Sequence, residues 1–491
     1  MYHEKRLLPH PRLYRALLCA GLILLFFAIR THRISAAPLF IDEAILIHIA
    51  EKINDNSPFV DAWDGRLFSV WSFYAFQPFL RAPTMLSRAV VVMLQLIAMA
   101  ALIQCIRREA GTLAALLSYL LITFSPYHHF FQRMGLADSV ASAFQILAIA
   151  LTWYGWKQRK LHHAVIIGLT SFIAFGAKIN SIIFYPVPFA AWLTLGQQPT
   201  LRRSSFRWLA AAIITASALA IALVLALSWI GQDFLSTFWV HSGSSSNFQL
   251  AQIIHHAERT LHSLRSYLGT PLLFFALLAA VILLAQRRYF LPLITFAPLL
   301  AIWSVQTQQS RFWITPTTLL LIISALVMAE ALKRRQTVLT ILIILLLASW
   351  GSSTALPFLA QSYWRPKQLA LPPADQYQYI EGESAGPTIR DLHEALLPLQ
   401  PKLVLGIINN CLSLRYLALR DYAVQCPRVN YTGEDIPAHL ALMDDHRTEG
   451  VYAVLDSTPF TPSAAPGTLL HVIPSPGAKI LYSLYDLATP H

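Results

Sequence analysis

Long apolar runs separated by short basic turns dominate the chain. Runs long enough to cross a bilayer, or nearly so, fall at residues 13–29, 85–106, 112–127, 136–156, 162–177, 181–196, 208–230, 269–286, 289–305, 312–332 and 336–356. A helix needs roughly 20 apolar residues to span the hydrocarbon layer, so the pattern predicts about eleven transmembrane helices. The pair around Asn180 is the one place where two short helices compete with a single broken span.

The turns carry the orientation. Arg107 and Arg108, the cluster 157–160, Arg202, Arg203 and Arg207, Arg287 and Arg288, and the cluster 333–335 occupy alternate turns and, with the basic N-terminus, fall on one side. The positive-inside rule makes that side cytoplasmic, and an odd number of spans then puts the C-terminus outside. The N-terminus, with Lys5, Arg6, Arg12 and Arg15 ahead of an apolar run, has the look of a signal peptide. No small-residue cleavage site follows cleanly, so an uncleaved first span is expected.

Three larger segments face outward on this reading: loop one at residues 30–84, residues 231–268, and a tail from 357 to 491. The chain thus divides into an all-α polytopic core over 1–356 and an extracytoplasmic linker and small α/β domain over 357–491. Residues 365–387, rich in Pro, Gln and Gly, read as the linker. Beyond it, an apolar strand at 402–408, a helix at 412–420 and a strand at 451–455 give the domain its class. It carries no Gly-rich nucleotide fingerprint.

Composition agrees with the pattern. Hydrophobic residues make up 56% and charged residues 13%, with a mean hydropathy of +0.51, too apolar for a soluble domain. The net charge of +12 would suit a nucleic-acid partner, but its placement in short turns makes it a topology signal, and no nucleic acid is expected. Of four cysteines, Cys19 and Cys105 lie in apolar runs. Cys411 and Cys426 lie in the tail and are a disulfide candidate if it faces an oxidising compartment.

Candidate chemistry gathers on the outward side. Asp42 and Glu43 form an acidic pair just beyond the first span, suited to general-base work or metal ligation; this site taken alone favours the plainer reading, with Asp42 capping a helix and Glu43 in its first turn. Arg133 and Asp138 precede the fourth run, where Asp138 is either a helix cap or a functional intramembrane acid. His128 and His129 are adjacent and do not share a helix face, which favours interfacial solvation over metal binding. Lys178 and Arg311 stand at the outer ends of their runs, against the positive-inside bias. Phosphate binding is one explanation; for either residue taken alone, snorkelling of the long side chain is the better one.

In the order of these features the chain resembles the GT-C superfamily of membrane glycosyltransferases, in particular bacterial relatives of protein O-mannosyltransferase and aminoarabinose transferase. The matching pieces are Asp42 and Glu43 opening the first outer loop, the stretch Leu86, Ser87, Arg88 and Ala89, the segment from Arg133 to Asp138, and a Gly-led helix from Gly168 ending at Lys178. The resemblance implies transfer of a sugar, with inversion, from a polyprenyl-phosphate donor to an acceptor hydroxyl of a glycan, lipid or protein on the outer face of a bacterial inner membrane. It implies Asp42 as base and Glu43 and Asp138 as positioning groups for the acceptor or a divalent cation. Lys178 and Arg311 would steady the departing phosphate, and no cofactor is certain. Many relatives carry a Lys-Pro pair late in the first loop, where this chain has Phe76, Gln77 and Pro78; Arg66 or Arg81 is the substitute the loop offers. A lipid transporter or flippase and a non-catalytic envelope assembly protein are the competing readings.

Overall fold

The computed structural model describes residues 11–37, 39–53, 65–76, 82–195, 202–229, 250–304, 309–427, 442–443, 445–456, 467–476 and 480–488. Helices dominate, as the apolar runs predict: α1 (Pro11–Thr31), α2 (Ile41–Lys52), α3 (Leu67–Phe76), α4 (Pro83–Ala110), α5 (Thr112–Phe124), α6 (Pro126–Phe131), α7 (Ala137–Gln158), α8 (Leu161–Ala177), α9 (Val187–Leu195), α10 (Arg202–Trp229), α11 (Leu250–Leu268), α12 (Thr270–Ala285), α13 (Phe290–Trp303) and α14 (Ile314–Lys333). Two further helices, Thr337–Trp350 and Leu356–Trp364, run on through a short π-turn.

Four of these stretches, Pro83–Ala110, Ser205–Trp229, Ser310–Lys333 and Thr337–Trp364, are long and apolar enough to cross a membrane, and seven shorter apolar helices accompany them. Packing sorts them. The most apolar part of Ser310–Lys333 is 89% buried and forms the centre, whereas those of Ser205–Trp229 and Thr337–Trp364 are 17% buried. The outer two present Leu and Ile side chains such as Ile214, Leu225, Ile344 and Leu345 to the surroundings. Exposed aliphatic faces of this extent are what lipid covers. The chain is a multi-pass membrane protein.

Local sequence explains the breaks. Proline in the first turn starts α4 and α6, where its missing N–H costs nothing. Gly111, at φ 95°, permits the tight reversal from α4 into α5. Gly168 lets α8 and α10 meet: a Cβ there would sit 2.6 Å from the Ala212 carbonyl oxygen, the close approach that small residues allow between membrane helices. Near Asn180 the chain breaks after Ala177, passes through extended Lys178 and a 3-10 turn, Ile179–Phe184, and re-enters helix at Val187.

The basic turns meet at one end. Lys157 pairs with Glu109 at 2.8 Å, the Lys333 ammonium donates to the Ala110 carbonyl at 2.7 Å, and Arg288 lies 3.5 Å from Glu330.

Residues 403–486 contain a five-stranded sheet: β1 (Leu403–Ile407), β2 (Ala423–Gln425), β3 (Val451–Asp456), β4 (Thr468–Pro474) and β5 (Leu481–Asp486), in the order β2-β1-β3-β5-β4. β1 runs parallel to β2 and β3, and β5 antiparallel to β3 and β4. Helices Pro387–Leu396 and Cys411–Ala418 cover it through Ile389, Leu392 and Leu414 on Val404, Val454 and Leu484. A disulfide joins Cys411 to Cys426, Cα to Cα 5.7 Å apart. This region holds α2 in place: Ser413 donates to the Leu39 carbonyl at 2.8 Å, and Tyr416 to Glu51 at 2.7 Å.

Between the last apolar helix and the sheet, the stretch that composition reads as a linker is folded into short helical turns. It buries Asp375 and Tyr379 against the helical core. Aromatic packing is the reason: Tyr379 meets Phe40, Phe130 and Phe131 at ring distances of 4.7, 5.2 and 5.9 Å.

Candidate functional site

Five charged side chains from five segments converge. Arg311, in the 3-10 turn Ser310–Trp313 ahead of α14, donates from Nη1 to Asp42 Oδ2 at 2.5 Å. Its Nε lies 3.3 Å from Asp138 Oδ2, within ion-pair range yet without a hydrogen bond. One guanidinium therefore spans two carboxylates supplied by α2 and α7. Lys178, at the break after α8, donates to Asp138 Oδ1 at 2.5 Å and sits 4.4 Å over the Phe312 ring. Arg66, just before α3, stands 3.9 Å from Asp42 Oδ1.

Burial makes the cluster consequential. Asp138 is 8%, Lys178 8% and Arg311 5% exposed, so Coulomb interactions act with little screening by water. Three cations, Arg66, Lys178 and Arg311, face two carboxylates, Asp42 and Asp138. For Asp42, burial alone would raise the carboxyl's pKa, but the Arg311 and Arg66 guanidiniums outweigh it and hold the group below the usual carboxylate range.

The cluster opens on a cavity of about 160 Å³, lined among others by Asp138, Gln145, Lys178, Ser181, Arg311 and Thr315. Its polar wall is preorganised. Gln145 donates to Ser181 Oγ at 2.8 Å and accepts from Thr315 Oγ1 at 2.5 Å. The 3-10 stretch 180–184, which interrupts the α-helical run, lines the same cavity; a break of this kind is tolerated where it borders a cavity.

Glu43, next to Asp42 in sequence, is engaged elsewhere. It accepts from Arg88 Nε and Nη2, both at 2.8 Å, from the Phe40 N–H at 3.0 Å and from the Gly135 N–H at 2.6 Å. Those four donors fill the roughly four acceptor positions of a carboxylate. Gly135 is required for the approach, since a Cβ there would lie 2.6 Å from Ser87 Oγ. Asp138 does not cap α7, whose N-cap is Leu136. Nor are the two histidines solvated. His128 is fully buried, between Ser125 Oγ at 3.1 Å and Thr318 Oγ1 at 2.8 Å, tying α6 to α14. His129 is fully buried beside Arg133, 2.8 Å away. Neither histidine makes a hydrogen bond or ion pair with the Asp42 cluster. Arg81 lies outside the described residues.

Sequence reasoning missed Arg88 as a partner, Gln145, Ser181 and Thr315 as cavity lining, and Asp375. Polar interruptions of apolar runs were the available signal for the first four. Asp375 is 1% exposed and accepts from the Tyr267 hydroxyl at 2.7 Å; burial raises its carboxyl to about 6 against the bond from Tyr267.

No family model matches the sequence, and comparison with curated proteins finds no match. Solved structures do match. ArnT from Cupriavidus metallidurans bound to undecaprenyl phosphate superposes with a TM-score of 0.65 at 12% identity, over 98% of this chain and 100% of that one. Its apo form gives 0.64 at 13% identity, over 97% and 99%. The chain has the GT-C fold. The Archaeoglobus fulgidus oligosaccharyltransferase in its apo form is a more distant GT-C structure, with a TM-score of 0.55 at 12% identity over 91% of this chain and 70% of that one. That oligosaccharyltransferase has also been solved with zinc and sulfate. Among the described residues of the present chain, no group of three or more His, Cys, Asp or Glu side chains is placed to hold a metal.

Proposed function

We propose that the chain transfers a sugar, with inversion, from a polyprenyl-phosphate-linked donor to an acceptor hydroxyl at the outer face of a bacterial inner membrane. The observation that carries the reading is the bridge Asp42–Arg311–Asp138, with Lys178 and Arg66 beside it, opening on a cavity. The match to a GT-C structure that holds undecaprenyl phosphate supports the donor class.

The chemistry follows from the charges. The leaving group is already a phosphate ester anion, so the site needs a base and charge stabilisation more than an acid. Asp42, kept ionised by its guanidinium neighbours, takes the proton of the attacking hydroxyl. The guanidinium forks of Arg311 and Arg66 are then placed to meet the departing phosphate, with Lys178 as a point charge. Asp138 positions Lys178 and Arg311. Glu43 acts on the reaction through structure: with Arg88 it fixes the start of α2 and so the place of Asp42. No step requires a metal ion, and a divalent cation at Asp42 and Asp138 would have to displace Arg311.

The sidedness rests on the basic turns that meet at one end of the bundle and on the Cys411–Cys426 disulfide, a bond characteristic of oxidising compartments. On this reading the span count is eleven by pattern, the core is 1–356, and 357–491 packs over its outer end. The test compares envelope glycolipids and glycoproteins of a strain lacking the protein with those of the parent by mass spectrometry. A missing hexose, pentose or amino sugar is expected; an unchanged profile would contradict transfer.

A further inference from the structure

A second cavity, about 80 Å³, lies beside the first site and is bounded by the start of loop one, the α6–α7 turn and the stretch 366–387. It is several times the roughly 10–15 Å³ that one water needs. Arg88, His129 and Arg133 line it, and Arg30 stands directly behind His129. Phe40 belongs to its wall, and the Arg311 guanidinium lies 5.7 Å over that ring, so the two cavities are neighbours.

The charges around it do not balance. Arg88 is matched by Glu43. Arg30, fully buried, gives its donors to the Ile122 and Thr123 carbonyls at 3.0 and 2.7 Å and to Gln132 Oε1 at 3.1 Å. Arg133 donates to the His32 and Arg33 carbonyls at 2.7 and 2.9 Å, while its buried Nε has no hydrogen-bond partner. Among the described residues neither of these two arginines has a carboxylate in ion-pair range. Three guanidiniums against one carboxylate leave two positive charges; Arg30 is fully buried and Arg133 half-buried, and burying an uncompensated charge is costly.

Hydrogen bonding points the same way. His129 meets Arg30 Nη1 through Nδ1 at 3.4 Å, and both Arg133 Nη1 and Ser362 Oγ through Nε2 at 2.8 Å. A neutral imidazole has only one acceptor nitrogen, so one guanidinium N–H of this trio faces another donor. Burial and the two flanking arginines hold His129 well below its ordinary pKa, and with either neutral tautomer the donor surplus remains.

We propose that this cavity is an anion site that takes a phosphate group, held by Arg133 with His129 and Arg88 and separate from the Asp42 cluster. A phosphate monoester carries close to two negative charges, matching the surplus, and its tetrahedral oxygens accept from donors that converge out of one plane. The group is either the headgroup phosphate of a lipid or free phosphate. The site does not depend on the transferase reading; phosphate bound here without any sugar transfer would leave it standing.

The test is thermal denaturation of the detergent-solubilised full chain at fixed ionic strength. Inorganic phosphate is titrated in one arm, and short-chain phosphatidic acid against phosphatidylcholine of equal chain length in another. A saturable rise in melting temperature is expected with phosphate or phosphatidic acid, its midpoint weakened about ten-fold or more in Arg133→Gln and still present in Lys178→Gln. A response to phosphatidic acid alone identifies a lipid headgroup, and a response to phosphate alone identifies the free ion. If Arg133→Gln does not fold, Arg133→Lys, which keeps the charge without the fork, is expected to weaken the midpoint several-fold. The proposal is overturned by no saturable response to either probe, by a wild-type midpoint in the folded Arg133 variant, or by loss of the response in Lys178→Gln alone.

Discussion

Asp42 and Glu43 are neighbours in sequence and equally acidic, with side chains 15% and 0% exposed, yet their surroundings differ in one decisive respect. Glu43 receives four donors from three segments and has no capacity left. Asp42 holds one short bond from Arg311, a longer approach from Arg66, and a place in a cluster that opens on a cavity. A saturated carboxylate fixes structure; an incompletely satisfied one, kept ionised by neighbouring cations, is equipped for proton transfer. The difference lies in how many acceptor positions are filled, and substitutions can break or sharpen it.

The largest effect is expected at the base. Asp42→Asn should lower transfer about 10²–10⁴-fold with a smaller loss of stability than Glu43→Gln, because Arg311 keeps Asp138 as a partner; an inactive but unfolded variant would erase the contrast. Glu43→Gln should do the reverse, costing about 3–5 kcal/mol of stability by stranding the buried Arg88, with residual activity in whatever folds. Replacing both, as Glu43→Leu with Arg88→Met, should recover part of that loss in thermal denaturation, because no charge is then left unpaired. Arg311→Lys keeps the charge but cannot span two carboxylates, so transfer should fall about ten-fold or more in the same assay.

Asp375 sharpens the comparison with a third kind of buried carboxylate, one bonded to Tyr267 by hydrogen bond. Its folded pKa, raised to about 6 by burial, exceeds the unfolded value of about 3.9. The folded chain then binds more protons between those values, so this group makes stability fall as pH rises from about 4 to 6 and contributes nothing to the slope outside that window. Asp375→Asn keeps an acceptor for Tyr267 and should remove that component, of order 1–3 kcal/mol, from the pH dependence of melting.

How much of this is legible in the sequence depends on distance along the chain. Apolar length predicts the helices, and charge at the outer ends of apolar runs is enough to single out Asp138, Lys178 and Arg311. The partner of Glu43 lies 45 residues away, and the Arg311 bridge to Asp42 spans 269; no local pattern encodes such pairings. Gln145 and Thr315 are hidden as neutral interruptions of apolar runs. Asp375 and Tyr379 sit in a stretch whose Pro and Gln content imitates a linker, and only the aromatic shelf of Phe40, Phe130 and Phe131 makes it a packed element. In the sheet, β2 is three residues long, below what alternation can reveal.

The most direct measurement is release of polyprenyl phosphate by the purified chain from a panel of polyprenyl-phosphate sugars, wild type beside Asp42→Asn and Asp138→Asn. A base at Asp42 predicts release from at least one donor by the wild type and a loss of about 10²-fold or more in Asp42→Asn. Release by both carboxylate variants at the wild-type rate, or by none of the three proteins from any donor, would contradict a reaction centre built on the Arg311 bridge.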